Sequence, residues 1–245
     1  MINNLRITYK KVENINLSES GYTNIEEVSQ RHADTPIKSD DYKKNITEAV
    51  KDFEYFINTE CLSLFKTIKE PLKILDIGCG NGIYSYFFKH LIKIRADYTG
   101  CEISDSMVRV CQKNNPKAKF FKSFADNINA DDNKYNLVFC SSTLQYTIDR
   151  WKESLVEMKR VSNKYIALLR LPVSKYNKSC YVEQNISSSG YIEVNYFNLL
   201  NREELEKMFN RLKLKVIKRD YSSEEYKIEG IDEKIVLVQY LLAKK

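Results

Sequence analysis

Histidine is almost missing from this chain: there are two in 245 residues, His32 and His90. Imidazole acid–base chemistry therefore has few places to reside. The six cysteines (Cys61, Cys79, Cys101, Cys111, Cys140, Cys180) form no C-x-x-C pair and no regular framework. They read as free thiols, several of them small buried hydrophobes, and no metal site is expected. No apolar run reaches 18 residues, and residues 1–6 lack the apolar stretch of a signal peptide. The expectation is a cytoplasmic protein with reduced thiols and no membrane partner. There is no basic tract or arm either: the net charge of +6 is scattered among Asp and Glu. Nucleic acid is not an expected partner, whereas a cleft for an anionic small molecule is compatible with that balance. With 43% hydrophobic and 29% charged residues, the composition is that of a soluble globular protein, most simply one domain with an appendage.

What is present is a short apolar run followed by glycines at alternate positions: Lys-Ile-Leu-Asp-Ile-Gly-Cys-Gly-Asn-Gly at 73–82. It reads as a buried strand, a glycine turn and a helix, the ligand-binding corner of a doubly wound α/β sheet. Glycine lets the backbone turn sharply and lie close against a ligand. A dinucleotide fingerprint starting at Gly78 would need its third glycine at position 83, which is Ile83. The pattern present is instead D-x-G-x-G-x-G, with Asp76 at the end of the strand.

Along the chain, Ile46, Val50, Phe53, Phe56 and Ile57 recur at three and four residues within 40–65, the stripe of a long helix. With a turn and short helix near 21–28 it suggests an N-terminal helical cap over residues 1–70, although 5–12 alternates weakly. Helix 83–94, strand 96–103 and a helix capped by Ser104 follow. Glu102, at the end of that strand and twenty residues past Gly82, can accept both hydroxyls of a ribose. Strands are expected at 117–124 and 165–171, a strand with its following loop at 135–146, and a helix at 149–161. Residues 173–200 are too long for a simple connection and too aromatic for a linker, with Tyr176, Tyr181, Tyr191, Tyr196 and Phe197. They read as a substrate-recognition insert. Asn201 and Glu204 form a capping box for the last helix, and 214–221 with 235–242 close the chain as an antiparallel hairpin.

The glycine motif with Glu102 resembles the class I S-adenosylmethionine-dependent methyltransferases over about residues 71–245. That resemblance implies a seven-stranded Rossmann-like sheet and S-adenosylmethionine as cofactor, leaving S-adenosylhomocysteine. It implies cofactor contacts at Asp76, Gly78, Cys79, Gly80, Gly82, Glu102, Ile103, Met107, Cys140 and Ser141. The adenine-binding Asp of the family is displaced here, leaving Phe124, Ala125 and Asp126 in its neighbourhood. The loop after the fourth strand lacks the Asn/Asp-Pro-Pro-aromatic sequence of enzymes that methylate adenine or glutamine amides. No Pro-Cys pair supports methylation of a pyrimidine carbon. A narrower resemblance covers Ser-Gly-Tyr-Thr-Asn-Ile-Glu-Glu at 20–27, Ser-Ser-Thr-Leu-Gln-Tyr at 141–146, Arg-Leu-Pro at 170–172 and Val-Glu-Gln at 182–184. It is to methyltransferases of bacterial surface-polysaccharide (capsule or lipopolysaccharide) biosynthesis. It implies an anionic sugar or phosphorylated acceptor, methylated on oxygen or nitrogen. Substrate contacts are expected at Ser142, Tyr146, Arg170, Tyr181 and Tyr191, with Tyr146, Gln145 and His32 as candidate catalytic groups. An RNA methyltransferase and a non-catalytic partner protein of the same fold remain the alternatives.

Overall fold

The computed structural model describes residues 6–15, 59–68, 71–90, 95–188 and 191–245. Five parallel strands form its centre: β2 (Leu72–Ile77), β3 (Ala96–Glu102), β4 (Lys119–Lys122), β5 (Tyr135–Ser141) and β6 (Ser162–Ser174). Leu72, Ile74, Leu75 and Ile77 of β2 are all at most 1% exposed, as befits a parallel strand covered on both faces. Leu75 and Ile77 join the apolar cluster on one face, under α4 (Trp151–Val161) and α5 (Arg202–Arg211). Leu72 and Ile74 join the cluster on the other, under α1 (Thr59–Lys66), α2 (Ile83–His90) and α3 (Asp105–Asn114). The closing hairpin, β9 (Leu214–Tyr226) and β10 (Ile235–Lys244), inserts β10 antiparallel to β6. The order β4-β3-β2-β5-β6-β10-β9 is the doubly wound sheet expected from the sequence. Ser104 accepts from Met107 N at the start of α3, and Asn201 from Glu204 N at the start of α5.

Three features differ from expectation. The 173–200 segment is mostly regular structure. β6 continues to Ser174, and β7 (Cys180–Ser188) pairs antiparallel with β8 (Tyr191–Asn201). Pairing satisfies the backbone groups that an irregular connection would leave to water. Second, the weakly alternating 5–12 run, within the part expected as a helical cap, is a strand: β1 (Arg6–Val12) adds to the free edge of β7. Most of the expected 40–65 helix lies outside the described residues, which pick it up only at α1. Third, a 3-10 segment, Leu144–Arg150, precedes α4, which starts at Trp151 rather than 149. The β1–β7–β8 extension joins the main sheet where Leu200 and Asn201 pair with Val173 and Ser174, at the carboxyl end of β6. It thus stands on the edge where open α/β sheets bind their ligands.

Candidate active site

The glycine loop leaves β2 and enters α2 with Gly78, Gly80 and Gly82 at φ +67°, +55° and +78°, a region that residues with a Cβ enter at a cost. Gly78 N and Cys79 N both donate to Cys101 O, at 2.9 and 3.1 Å, which ties the loop to the end of β3. A Cβ on Gly78 would stand 2.3 Å from Thr143 Oγ1, so the loops after β2 and β5 touch. A Cβ on Gly80 would meet nothing within 4 Å; there the backbone borders open space.

Glu102 faces this loop from the end of β3. Its Oε2 accepts from Gly80 N at 3.0 Å and its Oε1 from Ile103 N at 2.8 Å. Burial raises its pKa, and the N–H groups of Gly80, Ile103 and Ser104 oppose that rise. Asp76 lies sealed beneath the loop, 1% exposed, and accepts from Tyr98 OH at 2.5 Å. Burial pushes its carboxyl up to about 8, outweighing that hydrogen bond. Near neutral pH it is therefore mostly uncharged, a strut under the loop. Cys79 and Cys140 are also buried, with the first sulfur 3.7 Å from Cys111 Sγ and the second thiol pushed up to about 12 by burial. Met107 is 9% exposed, and Ile103 and Ala125 are half-buried. Phe124 is exposed, while the Asp126 carboxylate beside it accepts from Arg150 Nε at 2.8 Å.

At the end of β5, Ser141 Oγ and Tyr84 OH are 2.8 Å apart. Ser142, Ile148 and Arg170 hold φ of +52°, +50° and +53°, and Ser142 N donates to Leu169 O. Arg170 sits on a bulge: pairing with β10 passes from Leu168↔Tyr240 to Leu171↔Val238. Strained residues of this kind gather at functional edges, each costing on the order of 1–3 kcal/mol. Gln145 is 6% exposed, and its Oε1 meets no partner among the described residues.

Tyr146 OH donates to Gln184 Oε1 at 3.3 Å, and its ring packs edge-on to Phe197. Burial, with the fields of Tyr9 and Glu193, pushes the phenol up to about 12, so it stays protonated. Directly paired residues of neighbouring strands share a face. Tyr9, Gln184 and Asn195 are so paired, across β1, β7 and β8. Two residues along β8 on the same face is Glu193, 5% exposed, which accepts from Asn195 Nδ2 at 2.6 Å. The extension thus turns a row of amides, a phenol and a carboxylate toward Tyr146. Tyr181 has the opposite parity on β7; its OH donates to the Asp149 carboxylate. There it borders a separate cavity of 630 Å³ with Trp151 and Lys152. Tyr191 opens β8 opposite Ser188, with its side chain outside the described set, and His32 lies outside the described residues altogether.

The structure therefore brings the glycine loop, Glu102, Ser141, Ser142 and Tyr146 to one edge of the sheet. Asp76, Cys79 and Cys140 lie below it, and Tyr181 lies on the far face of the extension. Tyr84, Tyr98, Gln184 and Glu193 are additions. Gln184 falls in the Val-Glu-Gln of the narrower resemblance but without a role, and Glu193 gave no local signal, because only strand pairing lines the two up. Among the described residues, no group of three His, Cys, Asp or Glu side chains is arranged to hold a metal ion. No described helix is long and apolar enough to cross a membrane.

Residues 74–164 match the methyltransferase domain family. The chain is similar in fold to SAM-dependent methyltransferases of Methanosarcina mazei (TM-score 0.57, 16% identity, 74% of this chain and 96% of that one). It is likewise similar to an S-adenosylmethionine-dependent methyltransferase of Clostridium acetobutylicum (0.55, 14%, 91% and 98%). A third is the magnesium protoporphyrin IX methyltransferase of Synechocystis with bound S-adenosylhomocysteine (0.51, 11%, 96% and 90%). No curated protein sequence matches the chain. The fold is that of the class I methyltransferases. The domain match makes residues 74–164 a methyltransferase domain, and a structure of the same fold holds S-adenosylhomocysteine.

Proposed function

We propose that the enzyme methylates an oxygen or nitrogen of a small anionic acceptor, a sugar or phosphorylated metabolite of surface-polysaccharide synthesis. The cofactor supplies an electrophilic methyl on a sulfonium. The cradle beside Gly80 fits such a group, since the backbone there borders open space. Glu102 keeps acceptor lone pairs for ribose hydroxyls beyond those spent on Gly80 and Ile103. Ile103, Met107, Phe124 and Ala125 would flank the adenosyl part, and Gly78 and Ser141 the methionine part.

The observation that supports the acceptor reading is Tyr146, bonded to Gln184 in the face that also carries Asn195 and Glu193, beside a carboxyl edge where Ser142 and Arg170 hold positive φ. Direct displacement depends mainly on holding the nucleophile in line, an effect that supplies several kcal/mol. The protonated Tyr146 and the orphaned Gln145 Oε1 are suited to orienting a hydroxyl or amine. Glu193, whose charge is felt at Tyr146, can take the proton such a group sheds. Arg170 would hold the anionic group in the forked geometry a guanidinium offers. The expected result of incubating enzyme and cofactor with phosphorylated sugars and amino alcohols is a 14-dalton gain on at least one, read by mass spectrometry. Methylation of RNA and of none of these would contradict the assignment.

A further inference from the structure

The carboxyl end of β6 carries a second feature that methyl transfer does not use. Glu233 sits against residues 174–177 and collects their donors. It accepts from Ser174 OH, Lys175 N at 2.9 Å, Tyr176 N at 3.2 Å, Asn177 N at 3.1 Å and Asn177 Nδ2 at 2.6 Å. Burial alone would raise its pKa, yet these bonds pull it down to about 2. The tip so fixed presents Tyr176, which at 75% exposure is the most exposed large apolar side chain described. A rigid mount for a bare aromatic ring is how a protein prepares a stacking surface without a large ordering cost.

Tyr176 does not stand alone. It borders a cavity of 510 Å³ with Tyr221, whose ring is 41% exposed. The Tyr221 hydroxyl accepts from Arg202 Nη1 at 3.2 Å. The Lys175 ammonium lies 5.0 Å from the Tyr176 ring centre, over one face. Arg202, Lys175 and Lys234 line the cavity with Glu233, whose oxygens are already engaged, and Lys234 is paired to Glu225 at 2.7 Å, which leaves Arg202 and Lys175 as its cations. Its floor is Val173 and Val236, paired between β6 and β10. That places it at the far carboxyl end of β6, beyond the level of Leu168 at which the glycine loop leaves β2.

Aromatic faces with positive charge around an apolar floor match a planar ring that carries a negative group. We propose that this cleft binds a nucleotide, with its base stacked on Tyr176 or Tyr221 and its phosphate met by Arg202 and Lys175. The volume suits one nucleotide rather than a strand. The proposal does not depend on the acceptor reading, and the cofactor corner is kept out of the test by saturating it with S-adenosylhomocysteine.

Under that condition uridine 5′-monophosphate is titrated calorimetrically into the full chain, beside uridine, ribose 5-phosphate and a six-residue oligouridylate. The expected result is binding of the mononucleotide and weaker binding of both fragments, since each lacks one half of the recognition. Tyr176→Ala, an exposed position whose loss leaves the core intact, should weaken the mononucleotide by roughly tenfold with S-adenosylhomocysteine affinity unchanged. No binding at millimolar nucleotide would overturn the proposal, as would equal affinity for ribose 5-phosphate or an unchanged affinity in the variant. An oligouridylate binding more than tenfold tighter than the mononucleotide would replace it with a single-strand site.

Discussion

Asp76 is the acidic residue of the glycine motif, and its position decides how it acts. With the carboxyl held under the loop by Tyr98 and pushed up to about 8, it supports the turn, while on the neighbouring strand Glu102, two residues past Asp76's partner Gly100, faces the opening. The sign of the linkage follows. Between about pH 4 and about pH 8 the folded chain keeps a proton on Asp76 that the unfolded chain has released. That contribution to stability is complete below about pH 4 and is lost as pH rises through the folded value. Asp76→Asn fixes the neutral form and leaves an oxygen for Tyr98. Its thermal midpoint should fall less than that of the wild type between pH 5 and pH 8, and parallel curves would show that Asp76 is ionised in the fold. None of this is legible in the motif: D-x-G-x-G-x-G gives the residue, and only the burial given by β2 and β3 gives its protonation.

At the scale of elements, the helix starts were the most readable features, because caps are local chemistry. Asn201 accepts from Glu204 N at 3.1 Å, and its Nδ2 also donates to Asn177 O at 2.8 Å. Asn201→Ala removes both, and should cost about 1–2 kcal/mol, read as a lower urea midpoint at unchanged slope. β2 was equally plain, an apolar run against glycines. β1 was not. Its residues are largely exposed, so its alternation is weak, and its partner β7 lies 169 residues later at Val12↔Tyr181 and 181 later at Arg6↔Ser187. Nothing local encodes a pairing of that range. The β7–β8 hairpin was obscured for a related reason: its strands carry polar residues on both faces, such as Glu183, Gln184, Asn195 and Tyr196, which blunts the period-two signal.

In the molecule as a whole, the cofactor corner and the acceptor surface are built differently. The corner comes from two neighbouring βα units, residues 72–102, so a single stretch of sequence announces it. The acceptor surface is assembled from β1, β7, β8 and the loop after β5, pieces that meet only once the sheet is wound. That division explains why the cofactor could be read from the sequence and why the alignment of Gln184 and Glu193 with Tyr146 could not. It also accounts for Tyr181, aromatic and nearby in sequence, being turned away by strand parity. The central claim, a glycine loop and Glu102 that together hold S-adenosylmethionine, is tested most directly by calorimetric titration with S-adenosylhomocysteine. The wild type should bind it one-to-one, and Glu102→Ala should weaken that binding by about 1–3 kcal/mol through loss of charged hydrogen bonds. No binding by the wild type, or the same affinity in the variant, would contradict it.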